Sequence, residues 1–396
     1  MVTTTAPAAA DVTTLAPPVA ARRLLTAYYI GLGALMAIWG ARMPAVQAAA
    51  HLSAGRLSLV LLAAAAGMVA GLYAGGRIAQ RHGPAPLLTA PAVTVAVSLA
   101  ALGSCRTLPT LLGVALAFGF THGLLDVGIN VNAVRCQEAY GRSIMSSLHA
   151  GFSGGALFGA AAAAVTAHSP HSRVFLIAGL TAAALALLTA PAVRSVSVLT
   201  QSPDRHDQPA AAPSGSDGAG AGLWLLGVLA AACLLGEGAA ADWSAVHLHG
   251  LHATAAVSAS AYAVYSAAMA IGRLAGDRLT TRYGAPVLVR AGAVLGCAGL
   301  GTGLLVGTAP AALLGWACLG LGLSTTVPAL ITAAGRHGPR AVAAVSAVGY
   351  VGLLAGPAAI GALASLTGSL PVALALPVLL AAVVAASSRH ALEKPR

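Results

Sequence analysis

Asp126 is a carboxylic acid in the middle of a long apolar stretch, residues 111–134, of a chain that carries few charges. Only ten of the 396 residues are Asp or Glu, and most of them lie near the ends of apolar segments or in polar stretches. Glu237 and, less deeply, Asp242 also lie within an apolar stretch. A carboxylate at the depth of a bilayer is energetically costly, so such residues usually mark a substrate path or a proton path.

Polar neighbours share the predicted helical faces of these acids. His122, Asp126 and Asn130 recur every four residues, which places them on one face of a helix. A second stripe on the next predicted helix contains His149 and Ser153. We therefore expect a polar cavity in which Asp126 couples transport to a proton. The predicted substrate contacts are His122, Asn130, His149, Ser153 and Glu237. The alternative is a buried network that only locks two helices together.

The elements that must position these side chains are membrane-spanning helices. Hydrophobic residues make up 58% of the sequence and charged residues only 8%, a balance that ordinary soluble domains do not have. Apolar runs of about 18–25 residues are long enough to cross a bilayer as helices. Twelve such spans are predicted, near residues 24–41, 56–76, 86–104, 109–134, 145–167, 173–191, 222–246, 255–275, 286–306, 310–334, 342–365 and 369–387.

Basic residues are distributed unequally between the two sides of the predicted membrane. The loops after spans 2, 4, 6, 8 and 10, with both termini, carry 17 of the 21 Arg and Lys residues, Arg273 among them. The opposite side carries Arg42, Arg56, Arg106 and Arg173. The positive-inside rule then predicts that both termini are cytoplasmic. The net charge of +11 is therefore a topology signal, and because no Arg cluster is interleaved with aromatic residues, we expect no nucleic-acid partner.

The chain also repeats itself at an interval of about 200 residues. Residues 81–86 resemble 282–286, and the Leu-Leu-Gly triplet at 111–113 recurs at 313–315. A Gly-aromatic pair in span 5 has a counterpart in span 11, so the three offsets are 201, 202 and 198. Two parallel halves of six spans each are the plan of many secondary transporters.

This repeat divides the chain into predicted segments. Residues 195–221 are rich in Ser, Asp, Pro and Gly, which favours a flexible cytoplasmic linker between the halves. The predicted segments are a disordered N-terminus (1–23), a first six-helix half (24–191), the linker (192–221), a second six-helix half (222–388) and a cytoplasmic tail (389–396).

Charged residues of both halves are predicted to meet at the outer ends of spans 1 and 7, which occupy equivalent places in the repeat. Arg42 ends span 1 at about the level that Asp242 reaches in span 7. We hypothesise that Arg42 pairs with Asp242 or Glu237 as an outer gate that stabilises an inward-facing state. The alternative is a local interfacial ion pair that contributes little.

Other chemistries receive less support from the sequence. Residues 151–155 fit the G-x-S-x-G pattern and leave an intramembrane serine hydrolase at Ser153 as an alternative, although their glycines favour helix packing. The single lysine, Lys394, cannot belong to a phosphate-binding G-x-x-x-x-G-K-[ST] motif. Five scattered cysteines indicate neither a metal site nor a disulfide framework. We expect no cofactor, with energy supplied by a gradient.

Three stretches of the sequence, residues 123–134, 141–160 and 237–248, resemble the major facilitator superfamily. They are most similar to its bacterial YbjJ-like group, which is related to the fucose permeases. The resemblance implies an all-α membrane protein with twelve transmembrane helices in two six-helix halves. In the fucose permeases a span-4 acid in an L-[DE]-x-x-x-N pattern is implicated in proton coupling. Asp126, followed by Asn130, matches that place.

The superfamily also has a cytoplasmic loop pattern, G-x-x-x-D-R-x-G-[RK], after span 2. This chain places Gln80 at the position of the acid, between Arg77 and Arg81, whereas the second half keeps Asp277 and Arg278. The resemblance therefore implies a cytoplasmic gate formed by Arg77, Arg81, Asp277 and Arg278, which lacks the usual acid in the first half.

Together these features predict a monomeric, multi-pass transporter of the cytoplasmic membrane, with the lipid bilayer and a small-molecule substrate as its partners. The resemblance suggests a small polar, sugar-like solute that is moved by alternating access and coupled to protons through Asp126. An exporter of hydrophobic or cationic compounds, in which Asp126 binds a cation, is the alternative. The sequence leaves the substrate and the direction of transport open.

Overall fold

The chain forms a bundle of helices that are long and apolar enough to cross a membrane. A computed structural model describes residues 18–193 and 216–393, and within these ranges twelve candidate spans are present. This confirms the predicted number of spans. Helices suit this environment because each satisfies its own backbone hydrogen bonds away from water. Large apolar side chains such as Phe158, Leu314 and Trp224 are exposed on the outside of the bundle, where lipid would cover them.

The bounds of the helices are as follows. Spans 1–6 are Pro18–Ala49, Ala54–His82, Thr89–Ser104, Leu108–Tyr140, Met145–Val165 and His171–Leu188. Spans 7–9 are Ser216–Gly250, Ala255–Tyr283 and Ala285–Val306. Span 10 consists of Ala309–Leu323 and Thr326–Gly335, span 11 is Pro339–Thr367, and span 12 consists of Leu370–Ala373 and Ala375–Leu392.

Parts of three predicted segments lie outside the described residues. These are residues 1–17 of the predicted N-terminal segment, residues 194–215 of the predicted linker and residues 394–396 of the tail. The helix of span 7 begins at Ser216, within the end of the predicted linker.

Local backbone features repeat at an offset of 201 residues. Ser53 caps the helix of span 2 by accepting from a backbone N–H, and Thr254 caps span 8 in the same way. Gly83 and Gly284 follow the ends of these spans with φ of 77° and 81°, a conformation that glycine adopts without steric cost. The internal repeat in the sequence is thus visible in the turns.

Helix packing follows the same repeat. Spans 1 and 5, 2 and 4, and 3 and 6 pack against each other in the first half. Their counterparts, spans 7 and 11, 8 and 10, and 9 and 12, pack against each other in the second. The halves meet chiefly where span 2 packs on span 11 and span 5 packs on span 8. Two similar six-helix units therefore face each other, and spans 1 and 4 of the first and 7 and 10 of the second lie on the facing sides.

The halves approach closely at the end of the bundle that carries the Arg-rich loops after spans 2, 4, 8 and 10, here called the basic end. A Cβ added at Gly76 of span 2 would lie 2.7 Å from the Cβ of Ala343 in span 11. A Cβ added at Gly276 of span 8 would lie 2.7 Å from the hydroxyl oxygen of Ser146 in span 5. The basic end is therefore closed by direct contact between the halves.

Glycines also bring spans 2 and 4 into backbone contact, which yields the first testable prediction. A Cβ added at Gly119 would overlap the backbone carbonyl of Ala64, whereas one added at Gly113, in the same helix, would meet nothing within 4 Å. Overpacking of a close helix contact costs about 1–3 kcal/mol. We expect Gly119→Val to lower the melting temperature of the purified protein in detergent. Gly113→Val is the matched control, and equal melting temperatures for the two variants would contradict the packing assignment.

Candidate functional site

A cavity of about 130 Å³ lies between the halves, and both halves contribute to its wall. Spans 1, 4 and 5 line one side, and spans 7, 8, 10 and 11 line the other. Most of the wall is apolar, since leucine, isoleucine, valine and phenylalanine side chains predominate. The polar or charged lining residues are Tyr29, Asp126, Asn130, His149, Glu237, Arg273, Ser346 and Tyr350. Four of the six predicted site residues therefore line one cavity.

Asp126 lies near the middle of span 4, and only 6% of its surface is exposed. The hydroxyl of Tyr350, in span 11 of the opposite half, donates a hydrogen bond to Oδ1 of Asp126 at 3.2 Å. The other carboxyl oxygen, Oδ2, is buried without a hydrogen-bond partner among the described residues. The carboxyl group thus contacts the second half through one oxygen and has a free acceptor on the other.

Asn130 lies one helical turn further along span 4 and is held on both sides. Its amide nitrogen donates to the backbone carbonyl of Asp126 at 2.9 Å, and its amide oxygen accepts from the hydroxyl of Tyr29 at 2.8 Å. Tyr29 lies in span 1, so this bond ties span 1 to span 4. Sequence reasoning missed Tyr29 and Tyr350, because a tyrosine within an apolar run gives no charge signal.

Glu237 faces the same cavity from span 7 and is joined to Arg273 of span 8. The closest guanidinium nitrogen lies 3.7 Å from the Glu237 carboxylate. A second guanidinium nitrogen donates to the hydroxyl of Ser153, in span 5 of the opposite half, at 2.6 Å. Arg273 is only 6% exposed.

The sequence-based placement of Arg273 in a cytoplasmic loop is wrong. Span 8 was expected to end near residue 275, but its helix continues to Tyr283. Arg273 therefore lies ten residues inside that end, which is about 15 Å along a helix and about half the thickness of a bilayer core. Arg273 was one of the 17 basic residues assigned to the cytoplasmic side, and it belongs to the cavity instead. The other 16 still greatly outnumber the four on the opposite side.

The two predicted histidines occupy different places. His149 lines the cavity, its ring lies 5.2 Å from that of Tyr29, and its Nε2 is buried without a described partner. His122 is also buried but does not line the cavity. Its ring lies edge-on to that of Tyr350, with 6.3 Å between the ring centroids. His122 therefore packs against the tyrosine that donates a hydrogen bond to Asp126.

The environment of Ser153 does not resemble that of a catalytic serine. Its hydroxyl accepts a hydrogen bond from Arg273 and donates to the backbone carbonyl of His149 at 3.3 Å. A guanidinium stays protonated in proteins and cannot act as the general base that a serine nucleophile needs. Over residues 18–193 and 216–393, no group of three His, Cys, Asp or Glu side chains is arranged to hold a metal ion.

At the basic end, Asp277 of span 8 caps the first turn of span 5 in the opposite half. Its carboxylate accepts from the backbone N–H groups of Ser146 at 2.9 Å and Ser147 at 3.1 Å, and from the hydroxyl of Ser143 at 3.3 Å. The first N–H groups of a helix have no partner within it and carry the positive end of the helix dipole. Asp277 therefore joins the halves through a helix terminus.

The other predicted gate residues lie on the surface. Arg77, Arg81 and Arg278 are exposed, and the guanidinium of Arg77 stacks over the ring of Tyr73 in its own helix, 4.8 Å from the ring centroid. The corresponding contact between the halves on the other side, between spans 2 and 11, has no carboxylate. There Gly76 packs closely against Ala343. The closed basic end therefore has a polar contact on one side and an apolar contact on the other.

At the opposite end of the bundle, Arg42 and Asp242 do not meet. Arg42 is buried, and its guanidinium donates to the hydroxyl of Thr166 at 2.8 Å, to the carbonyl of Thr166, and to the carbonyl of Ala167 at 3.1 Å. These groups end span 5, so Arg42 satisfies the carbonyls of a helix C-terminus in its own half. Asp242 is exposed, and Glu237 pairs with Arg273. The expected contact of Arg42 with either acid is absent from this state of the described chain.

Comparison of the sequence with known proteins identifies related transporters. The family model of the Major Facilitator Superfamily matches residues 24–341. An uncharacterised MFS-type transporter of Yersinia pestis is 32% identical over 92% of this chain and 94% of its own length. An uncharacterised transporter of Sinorhizobium fredii is 33% identical over 87% of this chain and 92% of its own.

A solved structure of the transporter FucP in the outward conformation has the same fold. It superposes with a TM-score of 0.73 and 16% sequence identity over 94% of this chain and 99% of that one. A second structure of FucP, described as an E. coli fucose:proton symporter, gives a TM-score of 0.67 over 94% of this chain and 98% of that one. At this identity the likeness concerns the fold alone.

The role of Asp277 leads to a testable prediction about the basic end. Asp277→Asn removes the charge that faces the span 5 terminus, and a hydrogen bond to a charged group contributes about 1.5–3 kcal/mol. We expect the population with an open basic end to rise about tenfold or more. The distance between spin labels at positions 139 and 337, measured in a cysteine-free background, should then lengthen. Glu138→Gln, an exposed carboxylate at the same end, is the control; an unchanged distance in Asp277→Asn would remove Asp277 from the closure.

Proposed function

The chain belongs to the major facilitator superfamily, and on that premise we propose that it is a proton-coupled secondary transporter of a small solute that binds in the cavity between the halves. Asp126 is the proton-carrying residue of this proposal. The chain is a transporter rather than an enzyme. The coupling ion, the binding residues and the order of the conformational steps are what we propose here.

The observation that carries the proposal is the difference between the two cavity acids. Glu237 has a permanent cation, Arg273, at 3.7 Å. Among the described residues, Asp126 has no basic side chain within 4.0 Å, and its Oδ2 has no hydrogen-bond partner. A charge in the membrane interior is costly unless it is paired. Asp126 can relieve that cost by binding a proton, whereas Glu237 is already compensated, so the proton is assigned to Asp126.

Protonation of Asp126 would also act on the contact between the halves. The hydroxyl of Tyr350, from the second half, donates to Asp126, in the first half. Hydrogen bonds to charged groups contribute about 1.5–3 kcal/mol, compared with about 0.5–1.5 kcal/mol for neutral groups. A proton on Asp126 therefore weakens a bond that joins the halves at the level of the substrate. This gives a physical link between proton binding and the movement of one half against the other.

The positive-inside rule supports the placement of the basic end in the cytoplasm. With that orientation the described state is closed on the cytoplasmic side, through Gly76, Gly276 and Asp277. We therefore assign it to the outward-facing side of an alternating-access cycle in the cytoplasmic membrane. The fold likeness to FucP in its outward conformation is consistent with this assignment. FucP is described as a fucose:proton symporter, which gives general support to proton coupling but does not identify the solute of this chain.

The coupling role predicts a specific loss in one variant. Asp126→Asn keeps the shape of the side chain and removes its exchangeable proton. For a solute found by a thermal-shift screen of sugars, amino acids and drugs, we expect proton-driven uptake into proteoliposomes to be abolished while counterflow exchange is largely retained. Full accumulation of the solute by Asp126→Asn would refute the role. Glu237→Gln, a matched change at the paired acid, should not produce this separation of uptake from exchange.

The outer gate remains a prediction for the inward-facing state. Closing the end opposite to the basic end would bring the ends of spans 1 and 7 together, where Arg42 and Asp242 could pair. We expect Arg42→Gln to raise the labelling of a cysteine introduced at exposed Ala41 by membrane-impermeant reagents. Because Arg42 also holds the end of span 5, the melting temperature is measured alongside. Unchanged labelling in a folded variant would exclude the gate.

A further inference from the structure

Arg273 is the one guanidinium or ammonium group in the wall of the cavity, within the part of the chain that the structure describes. It lies about half a bilayer core from the end of its helix, where an arginine is as costly as the acids it faces. A buried arginine with a complete set of partners could be explained as part of the fold. The partners of Arg273 therefore decide whether it has another role.

The hydrogen-bonding capacity of Arg273 is only partly used. Its Nε is buried and has no partner among the described residues. One terminal nitrogen donates to the neutral hydroxyl of Ser153. The other lies 3.7 Å from Glu237, which is too far for a charge-assisted hydrogen bond of about 2.7–2.9 Å. The guanidinium belongs to the cavity wall and retains unused donor capacity, and its planar fork matches a carboxylate.

The surroundings of Arg273 favour the same class of ligand. His149 lines the cavity beside it and has a buried nitrogen, Nε2, without a described partner. The remainder of the wall is mainly apolar, with Phe152, Leu234 and Ile331 among its members. Small-molecule sites commonly combine an apolar wall with a few polar groups that fix orientation. A ligand with one acidic group and a compact apolar body fits this arrangement.

We propose that Arg273 is a specificity-determining residue that binds the carboxylate of the transported solute, so that the solute is a small organic acid. This inference rests on the proposed transport function and adds the chemical class of its substrate. The long Arg273–Glu237 contact leaves guanidinium donors free for the ligand carboxylate to bind beside Glu237. A cationic group could not bind the guanidinium itself, because both carry positive charge.

The proposal is tested with probes that share a carbon skeleton and differ in charge. Phenylacetate, phenylacetamide and phenethylamine form one set, and butyrate, butyramide and butylamine form a second, aliphatic set. Binding to the purified full-length protein is followed by its melting temperature, which rises with ligand concentration when the folded state binds. At millimolar concentrations we expect the acids to raise the melting temperature and the matched amides and amines to leave it unchanged.

Variants separate binding by Arg273 from its contact with Glu237. Arg273→Met alone leaves the half-buried Glu237 without its cation, which can destabilise the fold. The double variant Arg273→Met/Glu237→Gln removes both charges, and Glu237→Gln alone is its matched control. We expect Glu237→Gln to bind the acids at least as tightly as the unmodified protein. The double variant should bind them about tenfold to a hundredfold more weakly, the loss of a charge-assisted hydrogen bond.

Three outcomes would overturn the inference: stabilisation by the amides or amines, absence of binding by every acid in both sets, or undiminished acid binding in the double variant. These outcomes differ from those that bear on proton coupling. If an acid binds through Arg273 but Asp126→Asn still accumulates it, the coupling proposal fails and the inference stands. If a neutral solute is accumulated with protons through Asp126, the inference fails alone.

Discussion

The cost of holding charge away from water is the constraint on which the centre of this molecule depends. Two acids and one arginine lie in the wall of a single cavity between the halves. The structure compensates Glu237 with Arg273 and leaves Asp126 with a hydroxyl donor but no cation. The two carboxyl groups thus differ in their partners, and on this difference we base the proposal that Asp126 is the one that exchanges a proton.

The same cavity contains bonds that connect the halves. Tyr350 reaches Asp126 across the interface, and Arg273 reaches Ser153. Ligand binding and proton binding would therefore act on groups that also determine how the halves fit together. At the basic end, by contrast, the closure uses the backbone of a helix terminus and the Asp277 carboxylate. Contacts between the halves therefore lie both in the cavity and, one helical turn beyond Arg273 along span 8, at the closed basic end.

Much of the fold could be predicted because a bilayer permits few structures. Apolar runs of sufficient length must be helices, and the number of spans and the superfamily are confirmed. Asp126 and Glu237 were identifiable because acids in apolar runs are rare. Arg273 was wrongly assigned to a loop because hydropathy locates the apolar part of a helix and does not show how far the helix continues beyond it. The tyrosine contacts depend on which helices face each other, and that information is absent from any single span.

The offset of 201 residues between the halves has a consequence for how the halves can be combined. Turns and caps obey the offset, but the cavity residues do not: offsets of 201 and 202 place Val327 and Pro328 at the position equivalent to Asp126, and an offset of 201 places Leu72 at that equivalent to Arg273. A dimer of two first halves would therefore have two copies of Asp126 and no equivalent of Arg273 in its cavity, and a dimer of two second halves would lack Asp126. The helical scaffold is repeated in the two halves, whereas the set of polar cavity residues requires one copy of each half.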